Sequence, residues 1–141
     1  MKKGMLWGVV VVAGCALLVT GCAQQKKTSK SSSGLQRIHF DFDKSDIKAE
    51  FESVLQNNAA WAQSHSKKKI AVEGHCDERG SNEYNIALGD RRANSAKNYL
   101  VKLGVAADRL STVSFGEEKP VATCSDESCW WQNRRAEFIA Q

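Results

Sequence analysis

The chain has one proline, Pro120, and ten glycines in 141 residues. That excludes collagen-like and Pro-rich disordered architectures. No segment recurs at a fixed period, which excludes a solenoid. Mean hydropathy is −0.43, and a chain this polar is not a polytopic membrane protein. Acidic residues are missing from the first 30 positions, whereas Lys2, Lys3, Lys26, Lys27 and Lys30 all fall there. From Leu35 onward, 15 basic residues face 16 acidic ones. The sequence pI of 8.8 therefore belongs to the amino-terminal segment. The remainder lacks the basic excess of a nucleic-acid-binding domain, and no nucleic-acid partner is expected. With 42% hydrophobic and 26% charged residues, it has the size and composition of one modest globular domain.

The amino terminus has the layout of an export signal. Lys2 and Lys3 precede an apolar run from Met5 to Val19, too short for a membrane-spanning helix of ~20 residues. Val19-Thr20-Gly21-Cys22 follows. Small residues before a Cys resemble the bacterial lipobox, in which the thiol is alkylated by diacylglycerol, the chain is cut before the Cys, and the new amine is acylated. Residues 1–21 are thus expected to be a signal peptide, with Cys22 the lipidated first residue of the mature chain. Several acyl chains hold a protein on a bilayer far more firmly than one. Ala23, rather than Asp, after the Cys implies the outer membrane by the rule of enterobacterial lipoproteins. Residues 23–34, AQQKKTSKSSSG, have no apolar periodicity and are expected to be a flexible tether. It spans at most ~40 Å extended and ~20 Å on average.

Export places the domain, residues 35–141, in an oxidising compartment. Of its three cysteines, Cys124 and Cys129 flank a short polar segment, and a disulfide closing that loop is expected. Cys76 is then a free, buried thiol. A zinc site made of His75, Cys76, Cys124 and Cys129 fails on spacing: there is no second C-x₂₋₄-C pair, and His75 and Cys76 point to opposite faces of a strand. No metal and no cofactor are expected.

Hydrophobic periodicity predicts the elements. Arg37–Phe40 alternates as a strand. Ile47, Phe51, Val54, Leu55 and Ala62 recur as in a helix from about Asp46 to Ser64, with Ser45 as its cap. Ile70–Gly74 forms a second strand, and residues 75–82 a polar loop. A long helix begins near Asn82 to Tyr84 and ends before Gly104. Asp108–Gly116 is a third strand, Glu117–Gln132 a loop, and Asn133–Ala140 a last strand. The order βαβαββ predicts an α+β fold, two helices packed on a mixed four-stranded sheet.

Gly74-His75-Cys76-Asp77-Glu78-Arg79-Gly80, Tyr84-Asn85, Leu88-Gly89-Asp90-Arg91-Arg92-Ala93 and Asn133-Arg134-Arg135 resemble the motifs of the OmpA-like carboxy-terminal domain. Phe40-Asp41-Phe42-Asp43 matches as well. With the lipobox, the whole chain resembles the peptidoglycan-associated lipoprotein (Pal) family. The resemblance implies an outer-membrane lipoprotein that binds peptidoglycan non-covalently through the diaminopimelate of its stem peptide, and a contact with TolB of the Tol system. It implies that Asp77 meets the ligand ammonium and Arg92 its carboxylate, that Asn85 and Arg134 take part, and that Phe42 and Asp43 form part of the wall. Cys76 departs from the Thr or Ala common in the family, and the Trp130-Trp131 pair is unusual.

The residues are compatible with that chemistry. A zwitterion calls for one acid and one planar fork of donors at fixed separation. Asp77 falls just past a strand end, and Asn85, Leu88 and Arg92 share one helical face, adding an amide and an apolar contact. Read without the resemblance, an internal Asp77–Arg92 salt bridge is the simpler account. A hydrolase reading from His75, Asp77 and Ser81 lacks a G-x-S-x-G elbow, and His75 is expected to orient the loop through hydrogen bonds. The expected class is a binding module, with no catalytic residue. Mass spectrometry of the mature amino-terminal peptide should show acylated Cys22. A peptide beginning at an unmodified Ala23, or a retained signal, would overturn the lipobox reading.

Overall fold

The computed structural model describes residues 34–141. The expected signal peptide, the lipidation site Cys22 and the tether up to residue 33 lie outside the described residues.

The elements are β1 (Ile38–His39), α1 (Glu52–Ser64), β2 (Ile70–His75), α2 (Asn82–Lys102), β3 (Leu110–Gly116), α3 (Glu127–Asn133) and β4 (Arg135–Ala140). They form one four-stranded sheet in the order β1-β4-β2-β3. β2 and β3 are parallel, as a helical crossover requires. β4 runs antiparallel to both β2 and β1. The expected α+β architecture, with both long helices on a mixed sheet, is the one observed.

Leu55, Ala59 and Ala62 of α1 and Ala93, Ala96 and Leu100 of α2 meet Ile38, Ile70, Val72 and Phe138 of the sheet in one buried core. Small residues on the inner faces of both helices let them lie close to the strands. The closest approach is at two glycines. A Cβ on Gly74 of β2 would stand 1.8 Å from the Gly89 carbonyl oxygen of α2, and one on Gly89 would stand 2.2 Å from Ser114 Oγ. α2 begins at a Ser81 cap whose hydroxyl accepts from Tyr84 N–H. It ends where the chain reverses at Gly104, φ 95°, and Val105 N–H returns to the Leu100 carbonyl.

Several boundaries differ from the sequence expectation, among them β4, which begins at Arg135 rather than Asn133. α1 does not begin at Asp46, and Ser45 does not cap it. A 3₁₀ turn at Ala49–Phe51 precedes it, because the carbonyls of Asp41 and Lys44 are turned toward Arg92. Asp108 and Arg109 belong to a 3₁₀ turn rather than β3. β1 is only two residues long. The loop expected at Glu117–Gln132 contains α3, capped by Asp126, whose carboxylate accepts from Ser128 N–H. Cys124 and Cys129 are joined in a disulfide with Cα atoms 5.5 Å apart, and Cys76 is a buried free thiol.

The glycine contact yields a direct test. Gly74→Ala should lower unfolding free energy by about 3 kcal/mol or more, at the upper end of ordinary overpacking, as read from urea denaturation. An unchanged midpoint would mean that α2 slides freely over β2.

Candidate ligand-binding site

The carboxyl end of β2, the amino-terminal turns of α2, the loop after β1 and the segment leading into β4 converge at one pole of the domain. Between them lies a cleft of about 220 Å³. Six of the seven residues expected at a ligand site line it: Phe42, Asp43, Asp77, Asn85, Leu88 and Arg92. Arg134 stands behind Asp77.

Arg92 is fully buried, with 0% exposure. Its Nε donates to the Lys44 carbonyl at 2.8 Å, Nη1 to the His75 carbonyl at 2.9 Å and Nη2 to the Asp41 carbonyl at 3.1 Å. The Phe40 ring lies 5.2 Å from its guanidinium carbon. No carboxylate oxygen lies within 4.0 Å of it among the described residues. Burial lowers its pKa, yet a guanidinium stays charged. The simple Asp77–Arg92 salt bridge is therefore not what forms.

Asp77 pairs with other arginines. Its Oδ1 accepts from Arg79 N–H and Nε, both at 3.1 Å. Its Oδ2 accepts from Arg79 Nη2 at 2.7 Å and Arg134 Nη1 at 3.3 Å. Burial alone would raise the Asp77 pKa. The bonds from Arg79 and Arg134 outweigh it and hold the carboxyl below its ordinary range. Arg134 also donates to the Phe40 carbonyl and to both oxygens of Glu127, so it fixes Asp77 from behind rather than lining the cleft.

Asn85 is buried, and its amide nitrogen points at the carbonyls of Asp77 and Arg79 and at Glu117 Oε2. It thereby shapes the loop that presents Asp77. Leu88 is buried beneath the cleft. Asp43 adopts φ 54°, a left-handed conformation that Asp tolerates, and accepts from the Tyr84 hydroxyl. This turn leaves Phe42 54% exposed at the rim.

Sequence reasoning missed Arg79. Its guanidinium carbon lies 3.9 Å from the centre of the Phe42 ring and 4.0 Å from that of Trp130, a cation held between two aromatic faces. The detectable signal was the Asp77-Glu78-Arg79 spacing, which lets one carboxylate take both the backbone and the side chain two residues on. Trp130 donates to Glu78 Oε1 at 3.1 Å and Trp131 is 37% exposed, so neither tryptophan is a core residue. His75 faces the helix-free side of the sheet, stacked on Phe115. Contrary to expectation, neither of its ring nitrogens makes a hydrogen bond among the described residues. It is its carbonyl, gripped by Arg92, that positions the loop.

Residues 39–134 match the OmpA family. The chain is 42% identical to the peptidoglycan-associated lipoprotein of Mesorhizobium japonicum, over 91% of this chain and 88% of the relative. It is 42% identical to that of Pasteurella multocida, over 96% and 97%. The chain belongs to the OmpA family, among the peptidoglycan-associated lipoproteins. The crystal structure of the peptidoglycan-associated lipoprotein from Burkholderia pseudomallei superposes with a TM-score of 0.73 at 42% identity, covering 74% of this chain and 89% of that one.

In this member of the OmpA family, the three motifs divide the work. Gly74 and Gly89 bring α2 onto β2, and Arg92 draws the loop after β1 over the cleft. In Asn133-Arg134-Arg135, Asn133 binds the backbone of Val121 and Ala122 and Arg134 holds Asp77. Arg135, on the open face, donates to Glu137 and the Lys119 carbonyl.

Burial, reinforced by the charge of Arg135, lowers the His75 pKa from 6.5 to about 3. An unfolded chain takes up a proton at His75 as pH falls through 6.5, whereas the folded chain does not until about 3. Folded stability must therefore drop as pH falls below 6.5. Replacing His75 with Phe should remove about 3 kcal/mol of the stability lost between roughly pH 7 and pH 4. Denaturation at both pH values checks this, and an unaltered pH slope would refute it.

Proposed function

We propose that this cleft binds peptidoglycan through the amine- and carboxylate-bearing end of diaminopimelate. The observation that carries the reading is Arg92: a fully buried cation, bonded to three carbonyls and with no carboxylate in ion-pair contact among the described residues, lining the same cleft as an ionised Asp77. Such a charge is costly to bury without a counter-ion, and a ligand carboxylate supplies one. Three of its five N–H groups are directed at carbonyls, and the guanidinium also interacts with the Cys76 thiol. The relatives' names, which join peptidoglycan to lipoprotein, support the same reading.

The ligand ammonium goes to Asp77. A carboxylate has about four acceptor sites, and four N–H groups already use those of Asp77. One donor must therefore leave. Arg134 has a side chain only 7% exposed, whereas that of Arg79 is 30% exposed. Arg79 is the group that yields. Leu88 and Phe42 cover the aliphatic stem of the ligand.

The chain acts as a structural binding module rather than an enzyme. Acylated Cys22 holds it in the outer membrane, with the domain in the periplasm, and the module ties that membrane to the wall. The family reading extends to the Tol system, with TolB as a partner, in envelope integrity and cell division.

Asp77→Ala should lose ~2–5 kcal/mol of binding, at least about 30-fold in affinity, in sedimentation with a diaminopimelate-type wall. Arg91→Ala, about 100° round the helix, should bind nearly as the parent does. Because Arg92 also supports the fold, its test uses the ligand: a lysine-type wall, which lacks the side-chain carboxylate, should not sediment the parent protein. Equal sedimentation with both walls would overturn the reading.

A further inference from the structure

The pole opposite the cleft is as distinctive as the cleft. Lys67, Lys68 and Lys69 precede β2, and Lys102 occupies the last turn of α2. Arg109 joins the two, donating to the carbonyls of Ala62, His65 and Lys68. The four lysines are exposed, and none of their ammonium groups has an ion-pair partner among the described residues. Asp108 is the acidic side chain at this end, where Gln141 N–H donates to the Lys69 carbonyl. Of the 15 basic and 16 acidic residues from Leu35 onward, this pole holds five basic and one acidic, so ten basic residues face fifteen acids elsewhere. A domain with a net charge near zero is thus strongly polarised. Complementing two helix carboxyl termini accounts for one cation at each, not for four unpaired ones.

The amino-terminal segment enters at the same pole. A Cβ on Gly34 would lie 3.3 Å from the Trp61 ring, and Trp61 stacks on His65 where α1 ends. The tether preceding Gly34 carries three more lysines, Lys26, Lys27 and Lys30, and no acid.

We propose that this lysine pole docks on the anionic phospholipid surface to which the chain is anchored. The proposal rests on the lipid anchor at Cys22. Residues 23–33 can separate the pole from the anchor by at most ~40 Å, and polybasic surfaces are drawn to anionic headgroups within a Debye length of ~8 Å. The cleft, at the amino end of α2, is then carried about 30 Å from the membrane by the length of that helix, opening away from the lipid. Membrane contact and ligand binding use opposite ends and do not compete.

The test uses the full chain extracted from membranes and reconstituted into vesicles of phosphatidylcholine, or of phosphatidylcholine with roughly one-third phosphatidylglycerol. Flotation reads the anchor, and acetylation of each lysine, followed by mass spectrometry, reads the pole. Lys67, Lys68, Lys69 and Lys102 should be acetylated about fivefold more slowly on the anionic vesicles, and Lys44 and Lys119, at the cleft end, equally on both. About 0.5 M salt should abolish the protection. With Lys67, Lys68 and Lys69 all changed to Gln, Lys102 should lose its protection while flotation persists. Flotation with equal acetylation on both vesicles would overturn the proposal and leave the anchor standing. Failure to float on either would overturn both. No wall material is present, so neither result bears on the cleft.

Discussion

A single buried guanidinium organises the cleft end of the domain. Arg92 leaves α2 and reaches carbonyls in two other places, the end of β2 at His75 and the loop after β1 at Asp41 and Lys44. Charge-assisted bonds of this kind are roughly twice as strong as neutral ones. A buried cation also cannot release its partners without an uncompensated charge. The loop is therefore held where its carbonyls are needed, and α1 is delayed to Glu52. That loop also carries Phe42 to the rim and sets the left-handed turn of Asp43. The wall of the cleft and the cation in it thus depend on one side chain.

Elements with long, regular patterns were legible. The 21 residues of α2 repeat their apolar face several times, and Gly104 marks their end. β2 was visible as a short apolar run between a basic break and a polar loop. Pairing of Cys124 with Cys129 followed from export and spacing. α3 was not legible, because seven residues offer less than two full repeats of the helical period and its start depends on Asp126 as cap. The delayed start of α1 was equally hidden, since Ser45-Asp46 has the local chemistry of a helix start. What overrides it is Arg92, more than forty positions away.

The site was legible as membership but not as wiring. Family motifs pointed to Asp77, Asn85, Arg92 and Arg134, and the structure brings them to one pole. Nothing local indicates that Arg92 bonds carbonyls, that Arg134 reaches Asp77 across 57 positions, or that Asn85 shapes a loop. Carbonyl acceptors have no sequence signature, because every residue carries one. Arg79 could have been anticipated from Asp-x-Arg spacing, but its aromatic partners Phe42 and Trp130 come from opposite ends of the chain.

The occupancy of Asp77 sets the kind of binding the cleft supports. If a ligand ammonium takes the place of Arg79, one charge-assisted pair is exchanged for another, and the number of charges around the carboxylate is conserved. The gain at Asp77 is then a difference between two similar terms, smaller than the cost of deleting Asp77 outright, which strands Arg134 as well. Arg79 released from Asp77 retains its stacking between Phe42 and Trp130, so it need not leave the rim. On the proposed reading, net attraction would then come mainly from Arg92, which would gain a counter-ion. If that reading holds, the cleft would discriminate by the ligand carboxylate and tolerate the exchange at the amine.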